Sequence, residues 1–177
     1  MSRACGSNRG SLLEVENMDQ TKDKMTIIFM SGTFDKAIAA MILATTAAAM
    51  NMKVAVFFTF WGLNFLKKGK RYRRKHPLRK MLEFMTPGCM RSLPLTHLNM
   101  LGIGPVMMKA LMKKSGMASL PELFETAVRL GVKFYACSTS CSFMGLEKED
   151  LIPETADIVG AAYFLNEARN AKINLFI

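Results

Sequence analysis

The chain has 177 residues and a formal net charge of +10, from 24 basic and 14 acidic residues. This length suits one domain and is short for two, and the 50% share of hydrophobic residues excludes a chain that is disordered throughout. Residues 67–80 hold nine of the basic residues and none of the acidic ones. The positive charge is therefore concentrated in one segment, and binding to a specific nucleic acid is not predicted.

The first part of the chain is polar. Residues 1–24 carry no hydrophobic pattern that could build a core, and we expect a flexible leader there without a secretory signal. The longest hydrophobic stretch, 37–50, is shorter than the roughly 20 residues of a membrane-spanning helix. The four cysteines are too few for a disulfide-stapled secreted domain. We therefore expect a cytoplasmic protein with free thiols.

Hydrophobic segments of strand length alternate with segments of helix length from residue 25 onward. Strands are predicted at 25–30, 53–60, 132–136, 156–160 and 173–177, where β-branched and aromatic residues cluster. Helices are predicted at 37–50, 121–130 and 161–172. Strands that are joined through helices favour parallel pairing. The sequence therefore predicts an α/β fold, a three-layer α/β/α sandwich with a mostly parallel five-stranded sheet, in a single domain at 25–177.

Residues 61–116 do not fit this alternation. They include the basic run, a Pro-Gly-Cys turn at 87–89 and a Met-rich helix predicted at 106–114. We interpret this segment as a long helical and basic excursion after the second strand, and excursions of this length are usually functional or mobile. One hypothesis is that it docks an acidic protein or makes a peripheral contact with an anionic membrane. Its predicted partner-binding residues are Lys67, Lys68, Lys70, Arg71, Arg73 and Arg74.

Several kinds of site find no matching motif. There is no glycine-rich loop ending in Gly-Lys-Ser or Gly-Lys-Thr, which argues against a nucleoside triphosphate site. Gly102 and Gly104 lack a third glycine at the dinucleotide spacing. Cys137 and Cys141 are separated by three residues and the other two cysteines are isolated, so the paired ligands of a structural zinc site are missing. The sequence predicts neither a cofactor nor a metal.

Cys137 stands at the end of a predicted strand and is followed by Ser138, Thr139 and Ser140, which are good residues for a helix start. Ligands of open α/β sheets bind at the carboxyl ends of the strands. A thiol at this position meets free backbone N–H groups, which favour the thiolate and lower its pKa. The alternative is a small buried hydrophobic side chain, a common role for a free cysteine. Cys141 lies one helical turn further on and could form a resolving pair with Cys137.

Short segments in a fixed order make the chain similar to a known family. They are SGTFDK at 31–36, FFTFWGLN at 57–64, LPL at 93–95, NMLGIG at 99–104, ACSTS at 136–140, MGL at 144–146 and INLFI at 173–177. In this order they resemble the DsrE/DsrF-like family, in particular the branch labelled peroxiredoxin-like or DsrE-type sulfurtransferase. The resemblance covers nearly all of 25–177. It implies a small α/β sandwich that forms homo-oligomers.

The resemblance also implies a sulfur relay. The family's strand-end cysteine, which maps onto Cys137, receives sulfane sulfur as a persulfide and passes it on, in concert with TusA-like or rhodanese-like carriers. Members of this branch commonly have a methionine where Cys141 stands, so a two-thiol variant stays open. The candidate residues are Cys137 and Cys141 for catalysis, and Ser138, Ser140, Gly32 and Thr59 for substrate binding. The alternative hypothesis is a non-enzymatic interaction module that docks through the excursion, with Cys137 incidental.

Overall fold

The computed structural model describes residues 23–69, 77, 81, 84–97 and 103–177. Almost all of the predicted leader lies outside these residues. So do Lys70, Arg71, Arg73 and Arg74 of the basic run. Among the described residues, no helix combines the length and the hydrophobicity needed to cross a lipid bilayer.

The centre of the domain is a five-stranded sheet in which every pair of neighbouring strands is parallel. The strand order is β4-β3-β2-β1-β5. The sequence predicted a mostly parallel sheet of five strands, and this prediction is confirmed. The strands are β1 (Lys24–Phe29), β2 (Lys53–Phe58), β3 (Lys133–Cys137), β4 (Thr155–Val159) and β5 (Ile173–Phe176).

Helices cover both faces of the sheet, which confirms the predicted α/β sandwich. In the described parts of the chain the helices that surround the sheet include α1 (Phe34–Ala49), α2 (Ile103–Lys114), α3 (Leu120–Arg129), α4 (Ser138–Met144) and α5 (Ala161–Arg169). Helices α1 and α3 pack against each other and share the main hydrophobic core with inward residues such as Ile27, Val56 and Phe134. Helix α5 contributes Phe164 to a smaller cluster that contains Phe57. Alternation along the strands separates the two clusters.

Three helices differ from the prediction by three residues at one end. Helix α1 begins at Phe34 and not at 37. Helix α2 begins at Ile103 and not at 106, because a proline is tolerated in the first turn, where its missing N–H costs no helical hydrogen bond. Helix α5 ends at Arg169 and not at 172. The Lys172 N–H instead donates to the Lys24 carbonyl at 2.9 Å, so the chain has already turned towards β1 and β5.

The start of the excursion is fastened to the domain. A 3-10 helix, Phe60–Phe65, follows β2 directly. Lys67 then forms an isolated antiparallel bridge with Leu151, and the Ile152 N–H donates to the Leu66 carbonyl at 2.8 Å. These contacts direct the chain away from the sheet beside the loop that precedes β4.

Candidate functional site

Cys137 is the last residue of β3 and the residue that precedes α4. It lies on the sheet face opposite the main core, in the small cluster with Phe57 and Phe164. Parallel pairing sets Cys137 beside Val159 of β4. Only 6% of the residue is exposed. The sequence predicted a thiol at the carboxyl end of the sheet, and the structure places it there, recessed below the surface.

Two hydroxyl groups meet beside this thiol. The Oγ atom of Ser140 lies 2.9 Å from the Oγ1 atom of Thr59, and the Phe60 backbone N–H donates to Ser140 Oγ at 3.1 Å. Ser140 comes from α4 and Thr59 follows β2, so the sheet brings together residues that are 81 positions apart. Both were predicted as substrate-binding residues, Ser140 from its place just after Cys137 and Thr59 from its place after another strand.

The same groups set the ionisation of Cys137. Burial of the thiol opposes ionisation, but hydrogen bonds from the Ser140 hydroxyl and N–H, the Thr59 hydroxyl and the Thr139 N–H outweigh it and lower the pKa of Cys137 below its usual value. A serine hydroxyl has one proton and two acceptor positions. When that proton points at the sulfur, the Ser140 oxygen can still accept from Phe60. The network is therefore suited to stabilising a thiolate.

Cys141 has the opposite environment. It lies in the main hydrophobic core, on the side of α4 away from the small cluster. Burial, and secondarily the negative charge of the Cys137 thiolate, raises the pKa of the Cys141 thiol to about 12. At neutral pH this thiol stays protonated and is a poor nucleophile.

The loop after β2 has an unusual backbone. Phe60 has a φ of 45°, in the left-handed region that bulky residues rarely adopt. This conformation points the Phe60 N–H at Ser140, while the side chain is half exposed to solvent. Backbone strain of this kind persists only when the surrounding contacts hold it in place.

Two glycines hold this loop against the loop after β1. A Cβ on Gly32, whose φ is +62°, would stand 2.2 Å from the Trp61 carbonyl oxygen, and a Cβ on Gly62 would stand 2.1 Å from the Phe29 carbonyl oxygen. The Gly62 N–H also donates to the Met30 carbonyl at 2.9 Å. Gly32 therefore lies against the backbone of Trp61, the neighbour of Phe60, which donates to Ser140. The role of Gly32 in substrate binding stays a prediction.

Other predicted residues are dispersed. Ser138 is half-buried at the start of α4, near the loop that follows β4. Lys68 is exposed and donates to the Glu149 carbonyl at 3.2 Å. Lys67, in contrast, is only 3% exposed, with its ammonium 3.5 Å from Thr86 Oγ1, so it does not lie on the surface where partner binding was predicted. The physical reason is the bridge to Leu151, which draws the start of the basic run into the domain.

Sequence reasoning missed three features of the site. It did not connect Ser140 with Thr59, it gave no sign of the strained Phe60, and it did not single out Gly62. The one available signal was Gly62 itself, since a glycine shortly after a strand often marks a close backbone approach. Within the described residues, no group of three His, Cys, Asp or Glu side chains could hold a metal ion.

The chain can now be compared with known proteins. Residues 21–176 match the model of the DsrE/DsrF/DrsH-like family. The chain belongs to that family. The resemblance predicted from the sequence is thereby confirmed.

Two bacterial proteins are similar to the chain over most of its length. The chain is 40% identical over 160 residues to the uncharacterized protein YrkE of Bacillus subtilis, covering 90% of this chain and 99% of YrkE. It is 37% identical over 157 residues to the sulfur carrier protein DsrE2 of Allochromatium vinosum, covering 87% of this chain and 98% of DsrE2. The solved structure of MTH1491 from Methanobacterium thermoautotrophicum, a protein of unknown function, has a TM-score of 0.49 at 13% identity, over 88% of this chain and all of that chain.

Proposed function

We propose that this protein is a sulfur relay that carries sulfane sulfur as a persulfide on Cys137. The observation that carries the proposal is a thiol at the carboxyl end of the sheet whose pKa is lowered by hydrogen bonds from Ser140, Thr59 and Thr139, with the Phe60 N–H donating to Ser140 in turn. Family membership and the similarity to the sulfur carrier DsrE2 support it.

The reaction is a pair of thiol exchanges. The Cys137 thiolate attacks the outer sulfur of a donor persulfide, R–S–SH; the donor S–S bond breaks, Cys137–S–SH forms, and RS⁻ leaves. An acceptor thiolate then attacks the outer sulfur of Cys137–S–SH, and the Cys137 thiolate leaves. The thiolate is the nucleophile in the first step and the leaving group in the second, and a lowered pKa supports departure in the second. No external oxidant or reductant is required.

The residues around Cys137 have different roles in this reaction. Ser140 and Thr59 stabilise the thiolate before attack and after departure. Ser138, at the half-buried start of α4, is a candidate contact for the incoming sulfur. Cys141 remains a protonated core thiol in this scheme, because its pKa is raised to about 12; a resolving role for Cys141 would require α4 to move.

The partners in this proposal are proteins that present a reactive sulfur. Cys137 is recessed, and three exposed aromatic side chains extend from the neighbouring elements: Phe60 and Trp61 after β2, and Phe143 on α4. A donor or acceptor thiol on a flexible protein segment can reach such a recessed residue. TusA-like or rhodanese-like carriers fit this requirement, and we place the reaction in the cytoplasm, on a homo-oligomer.

The transfer of sulfur from Cys137 to an acceptor thiol can be tested in a single-turnover experiment. The protein is loaded with a low-molecular-weight persulfide, desalted and mixed with an excess of an acceptor protein thiol, and both proteins are weighed intact. We expect the acceptor to gain one sulfur as this protein loses one. A Cys141→Ser variant, the matched control, should transfer equally well. Sulfur that stays on this protein, or that leaves only when Cys141 is present, would refute the proposed relay.

A second candidate function rests on the outer face of α2. Ile103, Val106, Met107 and Leu111 are each more than half exposed, and α2 ends in Lys113 and Lys114. An apolar face beside lysines is typical of peripheral binding to an anionic surface, that of a membrane or of an acidic protein.

Docking to a membrane predicts a salt-dependent interaction. The protein should cosediment with vesicles that contain phosphatidylserine, less with pure phosphatidylcholine vesicles, and less as salt is raised, because salt screens exposed charges. An Ile103→Ser/Leu111→Ser double variant should sediment less, whereas Cys137→Ser should sediment like the wild type. Equal sedimentation with both vesicle types at low salt, or sedimentation that does not change as salt is raised, would rule out electrostatic docking to a membrane.

A further inference from the structure

A concave site lies away from Cys137. A cavity of about 420 Å³ is lined by residues of α2, by the first residues of α1 and α3, and by the 3-10 turn Met90–Ser92. Its lining includes Phe34, Met112 and Leu120, all buried, together with the side chains of Met90, Met117 and Pro121. The size and the apolar lining are those of a small-molecule pocket.

The charged residues of this cavity are mostly cationic. Arg91, Lys109 and Lys113 line it and are exposed on their outer sides. The Lys109 ammonium is held in place, since it donates to the Arg91 carbonyl at 2.9 Å and lies 5.1 Å from the centre of the Phe34 ring. A fixed cation over an apolar wall favours a ligand with one anionic group next to an apolar body.

The acidic residue of the lining is already engaged. Glu122 accepts hydrogen bonds from the Ser119 N–H at 2.8 Å and the Ser119 hydroxyl at 2.9 Å, closing the capping box at the start of α3. These bonds, backbone first, lower the pKa of Glu122. The Glu122 carboxylate is therefore already bonded at the start of α3. Because Arg91, Lys109 and Lys113 outnumber it, the rim of the cavity has a net positive charge.

The apolar space continues beyond this cavity. A neighbouring cavity of about 360 Å³ shares Met112 and Met117 with the first and is also lined by Met107, Met108 and Leu111. Methionine side chains are flexible and polarizable, and they adapt to apolar ligands of varied shape. A chain-like ligand can lie along this methionine-lined space with its anionic end at the rim.

We propose that the cavity beneath α2 binds an amphipathic anion, an unbranched acyl chain with a single carboxylate. The carboxylate lies at Lys109 and Lys113, and the chain lies against Met112, Met117 and Leu120. The site shares no residue with the surroundings of Cys137, so it is independent of the sulfur relay. The exposed face of α2 that is a candidate for membrane docking overlaps the neighbouring cavity at Met107 and Leu111.

Isothermal titration calorimetry tests whether the negative charge and the apolar chain of the ligand both contribute to binding. Decanoate, titrated below its micelle-forming concentration, should bind at one site per protein chain. Decyltrimethylammonium, with the same chain and the opposite charge, should bind about tenfold more weakly or more weakly still. Acetate, which has the carboxylate without the chain, should not bind measurably.

Matched lysine variants locate the site. A Lys109→Gln/Lys113→Gln double variant should bind decanoate about tenfold more weakly, whereas Lys114→Gln, on the same helix but outside both cavities, should bind within about twofold of the wild type. Cys137→Ser should bind like the wild type. Equal binding of decanoate and decyltrimethylammonium, equal losses in the Lys114 and Lys109/Lys113 variants, or no saturable binding would each overturn the proposal.

Discussion

Replacing Ser140 with alanine should slow the alkylation of Cys137 by iodoacetamide at neutral pH by about three- to tenfold. The Ser140 hydroxyl and N–H are the leading hydrogen-bond donors that lower the pKa of Cys137. The variant removes the hydroxyl and leaves the opposing effect of burial in place. The thiolate fraction at pH 7 therefore falls, and the midpoint of the pH–rate curve moves to higher pH.

The pH–rate curve separates ionisation from access. Its midpoint reports the pKa of the thiol, and its plateau at high pH reports how easily the reagent reaches a residue that is 6% exposed. Thr139→Ala is the matched control, because Thr139 acts on Cys137 through its backbone N–H, which the variant keeps. We expect Thr59→Val to move the midpoint in the same direction as Ser140→Ala and by less. A midpoint that Ser140→Ala leaves in place would show that the network does not activate Cys137.

Replacing Gly62 with alanine should lower the free energy of unfolding by about 3 kcal/mol or more. The new Cβ would stand 2.1 Å from the Phe29 carbonyl oxygen and 2.9 Å from its carbon, so backbone must move. That movement separates the loops after β1 and β2, which the bond from the Gly62 N–H to the Met30 carbonyl joins. Urea denaturation measures the loss.

Two other glycines provide controls for this substitution. A Cβ on Gly69 would meet no atom within 4 Å, so Gly69→Ala should leave the free energy of unfolding nearly unchanged. Gly131 has a φ of +80° and open space, so Gly131→Ala should cost about 1 kcal/mol from backbone strain alone. Gly32→Ala, which adds a clash to the backbone strain, should lower the free energy of unfolding by more than Gly131→Ala does. If Gly62→Ala changes the free energy of unfolding as little as Gly69→Ala does, the two loops do not approach each other closely at Gly62.

Much of the fold could be predicted from local sequence pattern. The runs at Lys53–Phe58 and Lys133–Cys137 are strongly apolar or aromatic, and helices lie between consecutive strands, so a parallel sheet was the expected solution. The position of Cys137 at the end of a strand could be predicted in the same way, because an apolar run ends there and the helix-starting residues Ser138 and Thr139 follow.

The rest of the site depends on contacts between distant segments. Whether Ser140 meets Thr59 depends on β2 and β3 being neighbours in the sheet, which no local pattern specifies. The burial of Lys67 depends on its bridge to Leu151, 84 residues further along, so charge pattern alone placed it on the surface. Spacing indicated that Cys141 could pair with Cys137, but hydrogen bonds lower the pKa of Cys137 whereas burial in the core raises that of Cys141.

The location of the transferred sulfur tests the central claim most directly. Reduced wild type, Cys137→Ser and Cys141→Ser proteins are incubated with a persulfide donor and weighed intact, and the modified residue is assigned in peptides. We expect one added sulfur atom on the wild type and on Cys141→Ser, bound at residue 137. We expect no added sulfur on Cys137→Ser. Equal loading of Cys137→Ser, or an unmodified wild type, would contradict the central claim.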